Sequence, residues 1–188
     1  MFYQIKSNSI ELLKFKFQNK KNELYTTYNS FLNTGIFIDS IIQIKYNNTG
    51  DKLIIKNRPD KVDMILPKDS IWGYKICPDW NCYLYRIAPK GLNWYGSAGI
   101  QIIQIDDLII YTIGTGYVYS YFSKNLASKI YPLNRSGITE AFKDNKGLQE
   151  IILKEIGKLP SYWAINEDTD CFRIIEIYRD ALQRTNSK

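Results

Sequence analysis

The sequence predicts an α+β fold: an antiparallel β-sheet or partly closed barrel of roughly eight strands with C-terminal helices packed on it. Three observations predict it. Between residues 70 and 134, short runs rich in Ile, Tyr and Trp are separated by turn residues, the mark of antiparallel strands. After Asn134 the apolar spacing becomes helical. No linker, repeat or low-complexity stretch divides the chain, so it reads as a single domain over residues 1–188, β-rich from 36 to 134 and helical from 136 to 184.

The stretch from Ser70 to Asn134 organises the rest. Ile71 to Cys77 and Cys82 to Ile87 flank Pro78-Asp79-Trp80-Asn81, a hairpin with a four-residue loop. Ile100 to Ile105 and Leu108 to Ile113 flank Asp106-Asp107, whose short side chains bond the nearby backbone in turns. Gly114-Thr115-Gly116 gives a further turn, and Tyr117, Tyr119 and Tyr121 alternate with Val118, Ser120 and Phe122 at the period of a strand. Ile109 and Ile110 are adjacent and apolar, which predicts a central strand covered on both faces.

Upstream, Ile10 to Phe17 reads as either a strand or a short helix, with Leu13, Phe15 and Phe17 in alternation favouring the strand. Glu23 to Leu32 carries Leu24, Tyr28, Phe31 and Leu32 at the spacing of one helical face, stopped by Asn33-Thr34-Gly35. Ile36 to Tyr46 reads as one strand, followed by the turn Asn47-Asn48-Thr49-Gly50. Lys52 to Lys56 and Val62 to Leu66 are two more, with Arg58-Pro59-Asp60 between them.

Downstream, Ser136 is placed to cap a helix containing Ile138, Ala141 and Phe142. A second helix spans about Leu148 to Ile156 and stops at Gly157. The last starts near Asn166 and runs to about Arg184, with Cys171, Ile174, Ile175, Tyr178, Ala181 and Leu182 as its apolar stripe. Its first turn is acidic (Glu167, Asp168, Asp170) and its last basic, as the helix dipole prefers.

Composition narrows the chemistry. The 188 residues are 45% apolar and 23% charged, ordinary for a folded protein, and 15 Tyr, 8 Phe and 4 Trp favour strands. There is no histidine. That removes Ser-His-Asp and Cys-His nucleophiles and the commonest zinc ligand after cysteine. Three cysteines cannot form a four-cysteine zinc site. No GxGxxG, phosphate-binding loop or nucleophile elbow occurs, so no cofactor and no catalytic or metal-ligating residue is assigned. Net charge is +6, with the basic residues, mostly lysine, spread over the N-terminal segment (Lys14, Lys16, Lys20, Lys21), the strand edges and the C-terminal helix (Arg173, Arg179, Arg184). Spread lysines solvate a surface and guard strand edges, whereas a nucleic-acid footprint clusters with arginine prominent.

Three local features carry questions. Residues 88 to 99 form a loop with three glycines, one proline, Trp94 and Tyr95. Its rings either cap the core or, with Trp80, form an interaction surface. Cys77 and Cys82 flank the PDWN loop and should lie opposite each other, either bonded or as two thiols in a reducing compartment. Asn166 to Asp170 has calcium-like acids but lacks the glycine and distant glutamate of an EF-hand loop.

Several segments together carry a resemblance. They are Leu24-Tyr25-Thr26-Thr27-Tyr28-Asn29-Ser30-Phe31, Asp69-Ser70-Ile71-Trp72-Gly73-Tyr74, Tyr85-Arg86, Ile110-Tyr111, Tyr121-Phe122-Ser123, Ile130-Tyr131-Pro132-Leu133 and Phe142-Lys143-Asp144-Asn145. With these the chain resembles a loose group of small, β-rich bacterial proteins, many exported, for which no activity is known. The resemblance covers most of residues 24 to 156 and supports the strand order, but it implies no activity. The N-terminus, MFYQIKSNSIELLKFKF, lacks the pattern of a signal peptide. The default expectation is therefore a cytoplasmic protein, with export as the alternative if the sequence is a mature form. No run approaches the length of a membrane-spanning helix.

Three functions follow from these readings. The first is a non-catalytic binding or protein-interaction module, with a protein or small ligand as partner. The second is a hydrolase using two carboxylates about 5 to 10 Å apart. The third is a basic nucleic-acid-binding protein.

Overall fold

In the computed structural model the described residues are 21–33, 35–38, 43–56, 63–77, 82–87, 99–113, 120–159 and 161–186. The fold is α+β, as expected. An eight-stranded antiparallel sheet runs in the order β11-β10-β9-β8-β7-β6-β1-β2 and does not close. Backbone contacts cluster into two compact units, Met1–Ile102 and Ile103–Lys188.

The first unit holds β1 (Asn22–Tyr25), a short helix α1 (Tyr28–Leu32), β2 (Ile36–Ile38), β3 (Gln43–Tyr46), β4 (Lys52–Lys56), β5 (Met64–Pro67), β6 (Gly73–Ile76) and β7 (Tyr83–Ile87). β8 (Gly99–Ile105) starts in this unit and pairs with β7. The residues expected to make one helix from Glu23 instead split. Asn22–Tyr25 pairs with β2 on one side and β6 on the other, and only Tyr28–Leu32 is helical. The break is chemical. Thr27 has extended backbone and forms a capping box with Ser30, which starts the helix after the strand has ended.

The expected strand from Ile36 to Tyr46 is likewise two strands. β2 pairs in the eight-stranded sheet, while β3 joins β4 and β5 in a separate antiparallel sheet of three. The β3–β4 turn is held by Asn47, whose carbonyl oxygen accepts from the backbone N–H groups of Gly50 and Lys52. Gly50 has φ 78°, a conformation open mainly to glycine.

Alternation along these strands explains the core of the first unit. Leu24 and Tyr74 from the larger sheet meet Ile44, Leu53 and Ile55 from the three-stranded sheet, with Ile71 beside them; all six are buried. Tyr74 stacks on Tyr85, ring centroids 4.9 Å apart.

The second unit holds β9 (Ile109–Thr112), β10 (Ser120–Ser123), β11 (Tyr131–Pro132), α2 (Arg135–Ala141), α3 (Lys146–Ile156), β12 (Ile165–Asn166), β13 (Cys171–Phe172) and α4 (Arg173–Asn186). β9 is buried at all four positions and lies between β8 and β10, as its adjacent isoleucines predict. Its Ile110 is buried together with Phe122, Ile138, Ile152 and Ile175, so the helices cover this end through one continuous core. The cap of α2 is Asn134 rather than Ser136: its side chain accepts from the Gly137 N–H. Gly137 itself is required because a β-carbon there would overlap the Pro132 carbonyl oxygen. α3 begins at Lys146 under an Asn145 cap and ends at Gly157.

The last helix starts later than expected, at Arg173. Residues 165–166 and 171–172 pair as a small hairpin, and Asp170 between them has φ 50°. That left-handed residue ends any helical run from Asn166, so the acids Glu167, Asp168 and Asp170 belong to a hairpin turn and not to a helix N-terminus.

Candidate functional site

The strongest surface feature is the outer face of the three-stranded sheet. Cross-strand partners share a face, and the register fixes which residues they are. Ile44, Ile55 and Met64 form one inward row, and Tyr46, Leu53 and Leu66 another. The rows that point the other way are Lys45-Ile54-Ile65 and Lys52-Pro67, with Lys56 on the same side of β4. The outer face therefore carries an isoleucine pair with Lys45 at one end and Lys52 and Lys56 on its flanks. Ile65 is 62% exposed, the highest value among the described large apolar side chains.

Beside Ile54 the face is concave. A hollow of about 310 Å³ is lined by Lys45, Tyr46, Asn47, Asn48, Thr49 and Ile54. The acids nearby are tied to local partners. Asp63 pairs with Lys56 at 2.8 Å. Asp51 accepts from the Asn47 amide at 2.7 Å and from Thr49. Those two hydrogen bonds, Thr49 first, hold the Asp51 carboxyl below the ordinary aspartate range, with a smaller contribution from Lys52.

Two further clusters are packing arrangements. In the first unit Tyr28, Phe31 and Trp72 lie with ring centroids 5.0 to 6.3 Å apart, and the Arg86 guanidinium lies 5.7 Å from the Trp72 ring. Phe31 is fully buried, so these rings pin α1 to the neighbouring strands. The same unit buries an ion pair: Lys75 Nζ lies 2.8 Å from Glu23 Oε1, the side chains 0% and 3% exposed. Burial, and after it the Glu23 carboxylate, push the neighbouring Tyr25 hydroxyl well above the ordinary tyrosine range.

In the second unit Arg179 bridges Asp106 and Asp107, at 2.6 Å to each. This acid pair, the sequence's most visible one, anchors the β8–β9 turn to α4. Gln104 adds a second tie, accepting from the Phe172 N–H at 3.2 Å. The remaining cysteine, Cys171, is buried beside Gln104 and Arg179 in β13, and burial raises its thiol above the ordinary range. Of the calcium-like acids, Asp168 donates its backbone N–H to Asn166, while Asn166 and Thr169 both bond Glu176. Among the described residues no three His, Cys, Asp or Glu side chains gather as a metal site.

The structure joins Cys77 and Cys82 by a disulfide across the β6–β7 hairpin, with Cα atoms 4.0 Å apart. They continue the ladder beyond the Ile76–Tyr83 pair, which is the opposition that the four-residue loop predicts. Trp80, Trp94 and Tyr95 lie outside the described residues.

The lysine–isoleucine face is absent from the sequence-based reading, which treats the lysines as spread. The signal was present in Lys52-Leu53-Ile54-Ile55-Lys56, where Lys, Ile and Lys recur at every second position. Adding Lys45 and Ile65 to that face takes the register, which no single segment contains. No family model, curated protein or solved structure matches this chain. Among the described residues no helix is long and apolar enough to cross a membrane.

Proposed function

We propose that the protein is a non-catalytic interaction module that binds a partner protein through the outer face of β3, β4 and β5. The observation that carries this reading is the pairing of Ile54, which has Lys45, Lys52 and Lys56 around it, with Ile65, 62% exposed on the edge strand β5. Protein interfaces commonly combine an apolar centre with a polar rim. Ile54 and Ile65 are adjacent across the strand pair, so the apolar surface they offer is contiguous and not a lone exposed side chain.

The chemistry of the face also favours protein over nucleic acid. Single-stranded nucleic acid is held by aromatic platforms on which bases stack. The outward rows are aliphatic and lysine, and the one aromatic residue of these strands, Tyr46, packs against the core and only borders the hollow beside Ile54, too little for a stacking platform. The cations are lysines, which lack the planar fork with which arginine grips phosphate.

The test is a lysine footprint. Brief amine labelling of the chain within its native cell extract is compared with labelling of the purified chain. Lys45 and Lys52 should be protected several-fold in the extract, while Lys143 in the α2–α3 turn and Lys154 on α3 label equally in both. Equal labelling at all four positions would refute the reading.

A further inference from the structure

We infer that β2 is a docking edge on which a second copy of this chain adds, strand against strand, to form a two-fold dimer. β2 lies at one end of the eight-stranded sheet, and among the described residues it pairs with β1 alone. Alternate N–H and C=O groups of such a strand point away from the sheet, and another extended backbone satisfies them. Successive residues of a strand face opposite sides of the sheet. Ile36 is 57% exposed and Phe37 50%, so both sides of β2 are open to solvent.

The other edges are guarded, and this one is not. Edge strands are protected from pairing by proline or by charge. β11, at the far end of the same sheet, holds Pro132, which has no N–H to donate. In the three-stranded sheet, β3 carries Lys45 and β5 ends at Pro67. β2 reads Ile36-Phe37-Ile38, with neither proline nor charge. Lys21 reaches the Phe37 ring from the β1 side, its Nζ 5.1 Å from the ring centre, and so leaves the edge itself unblocked.

The partner is a second copy because the strand is complementary to itself. Ile36-Phe37-Ile38 reads the same in both directions. Set antiparallel about a two-fold axis at Phe37, position 36 of one copy falls opposite position 38 of the other, and Phe37 falls opposite its own counterpart. Aromatic residues opposed across a strand pair attract each other. A contact that uses the same patch on both copies closes at two. Head-to-tail growth through β11 is blocked by its proline.

Area and charge set the strength. Ile36 and Phe37 together offer roughly 200 Å² per copy, against the roughly 800 Å² per partner of a standard stable complex. The dimer is therefore weak and is populated in concentrated solution. Each copy carries a net charge of +6, so salt that screens this repulsion tightens the pairing.

The experiment is sedimentation of the full chain from about 10 μM to about 1 mM, at low and at high salt. It should show a reversible monomer–dimer equilibrium, tighter at high salt, with no larger species. Phe37→Lys and, separately, Ile36→Lys put a charge on either side of the edge, and each should weaken the dimer at least several-fold. Trp163→Lys, at an exposed apolar side chain outside β2, should leave it unchanged. Unfolding curves establish that each variant is folded. Under mild oxidation Phe37→Cys should link two copies several-fold faster than Trp163→Cys, because the two-fold axis brings position 37 within about 4.5–5.5 Å of its counterpart.

A chain that stays monomeric throughout, or a folded Phe37→Lys or Ile36→Lys variant that dimerises like the parent, would overturn the inference. So would species that keep growing beyond two, or a dimer that loosens as salt rises. If both lysine variants fail to fold, the cysteine comparison decides: equal linking from positions 37 and 163 overturns the inference. The outer face of β3, β4 and β5 takes no part in this pairing, so either reading can fail while the other stands.

Discussion

Lys75→Met should destabilise the protein by about 3–5 kcal/mol, because it leaves a carboxylate buried without its cation. The structure supplies the terms. Lys75 is 0% exposed and Glu23 2%, and they are direct cross-strand partners on β6 and β1. On the other side of Lys75 in the ladder is Leu84, also buried, which offers the carboxylate nothing in exchange. Methionine fills much of the lysine volume, so the loss is electrostatic rather than a cavity. For a chain of this size each kcal/mol lowers the melting temperature by about 2–4 °C, giving a fall of roughly 6–20 °C. The double variant Glu23→Leu with Lys75→Met removes both charges and should return to within about 2 kcal/mol of the parent, since the buried pair gives little net stabilisation over an apolar replacement. Urea unfolding followed by tryptophan fluorescence, with calorimetry alongside, measures both. A single-variant loss below about 1 kcal/mol, or a double variant as unstable as the single, would refute the reasoning.

Other consequences are as specific. Gly137→Ala forces a methyl group into the Pro132 carbonyl and should cost about 3 kcal/mol, measured by the same unfolding curves; a neutral result would mean that α2 does not sit against β11 as closely as described. Denatured but unreduced protein should titrate one thiol, Cys171, of its three cysteines, and Cys77→Ser with Cys82→Ser should still fold at a cost of about 2 kcal/mol; three titratable thiols would contradict the bond. The Asp51 carboxyl is depressed in the folded turn, so the stability it adds is present above the ordinary aspartate value of about 3.9 and is lost as pH falls through the lower folded value. Carbon-detected NMR titration should show Thr49→Ala moving that midpoint upward, and an unmoved midpoint would discount the hydrogen bond. Arg179→Met should cost about 1–2 kcal/mol by leaving Asp106 and Asp107 side by side without their cation, and no change in unfolding would make the bridge a surface ornament.

What the sequence revealed depended on how local the determining interaction was. The hairpin around residues 78–81 and strands β4, β8 and β9 were legible because alternation and turn chemistry lie within a few neighbouring residues. β1 was misread because Leu24, Tyr28, Phe31 and Leu32 mimic a helical face, although Leu24 belongs to a strand paired with residues far away in sequence. The capping box at Thr27 and Ser30 was the local sign of where the helix really starts. The start of α4 was misplaced because acids suit a helix N-terminus and a hairpin turn equally well, and only the φ of Asp170 separates the two. The candidate face was half legible. Lys52, Ile54 and Lys56 alternate in plain view, but bringing Lys45 and Ile65 to the same rows required the pairing of three strands.

The claim that the outer face of β3, β4 and β5 receives a protein partner is tested most directly by site-specific photocrosslinking in the living cell. A benzophenone side chain at position 65 replaces the exposed isoleucine, and one at position 154 on α3 serves as control. The account predicts one discrete protein adduct from position 65 that is lost when Lys45 and Lys52 become Glu. Adducts equal at both positions, or an adduct from position 65 that ignores the lysines, would contradict it.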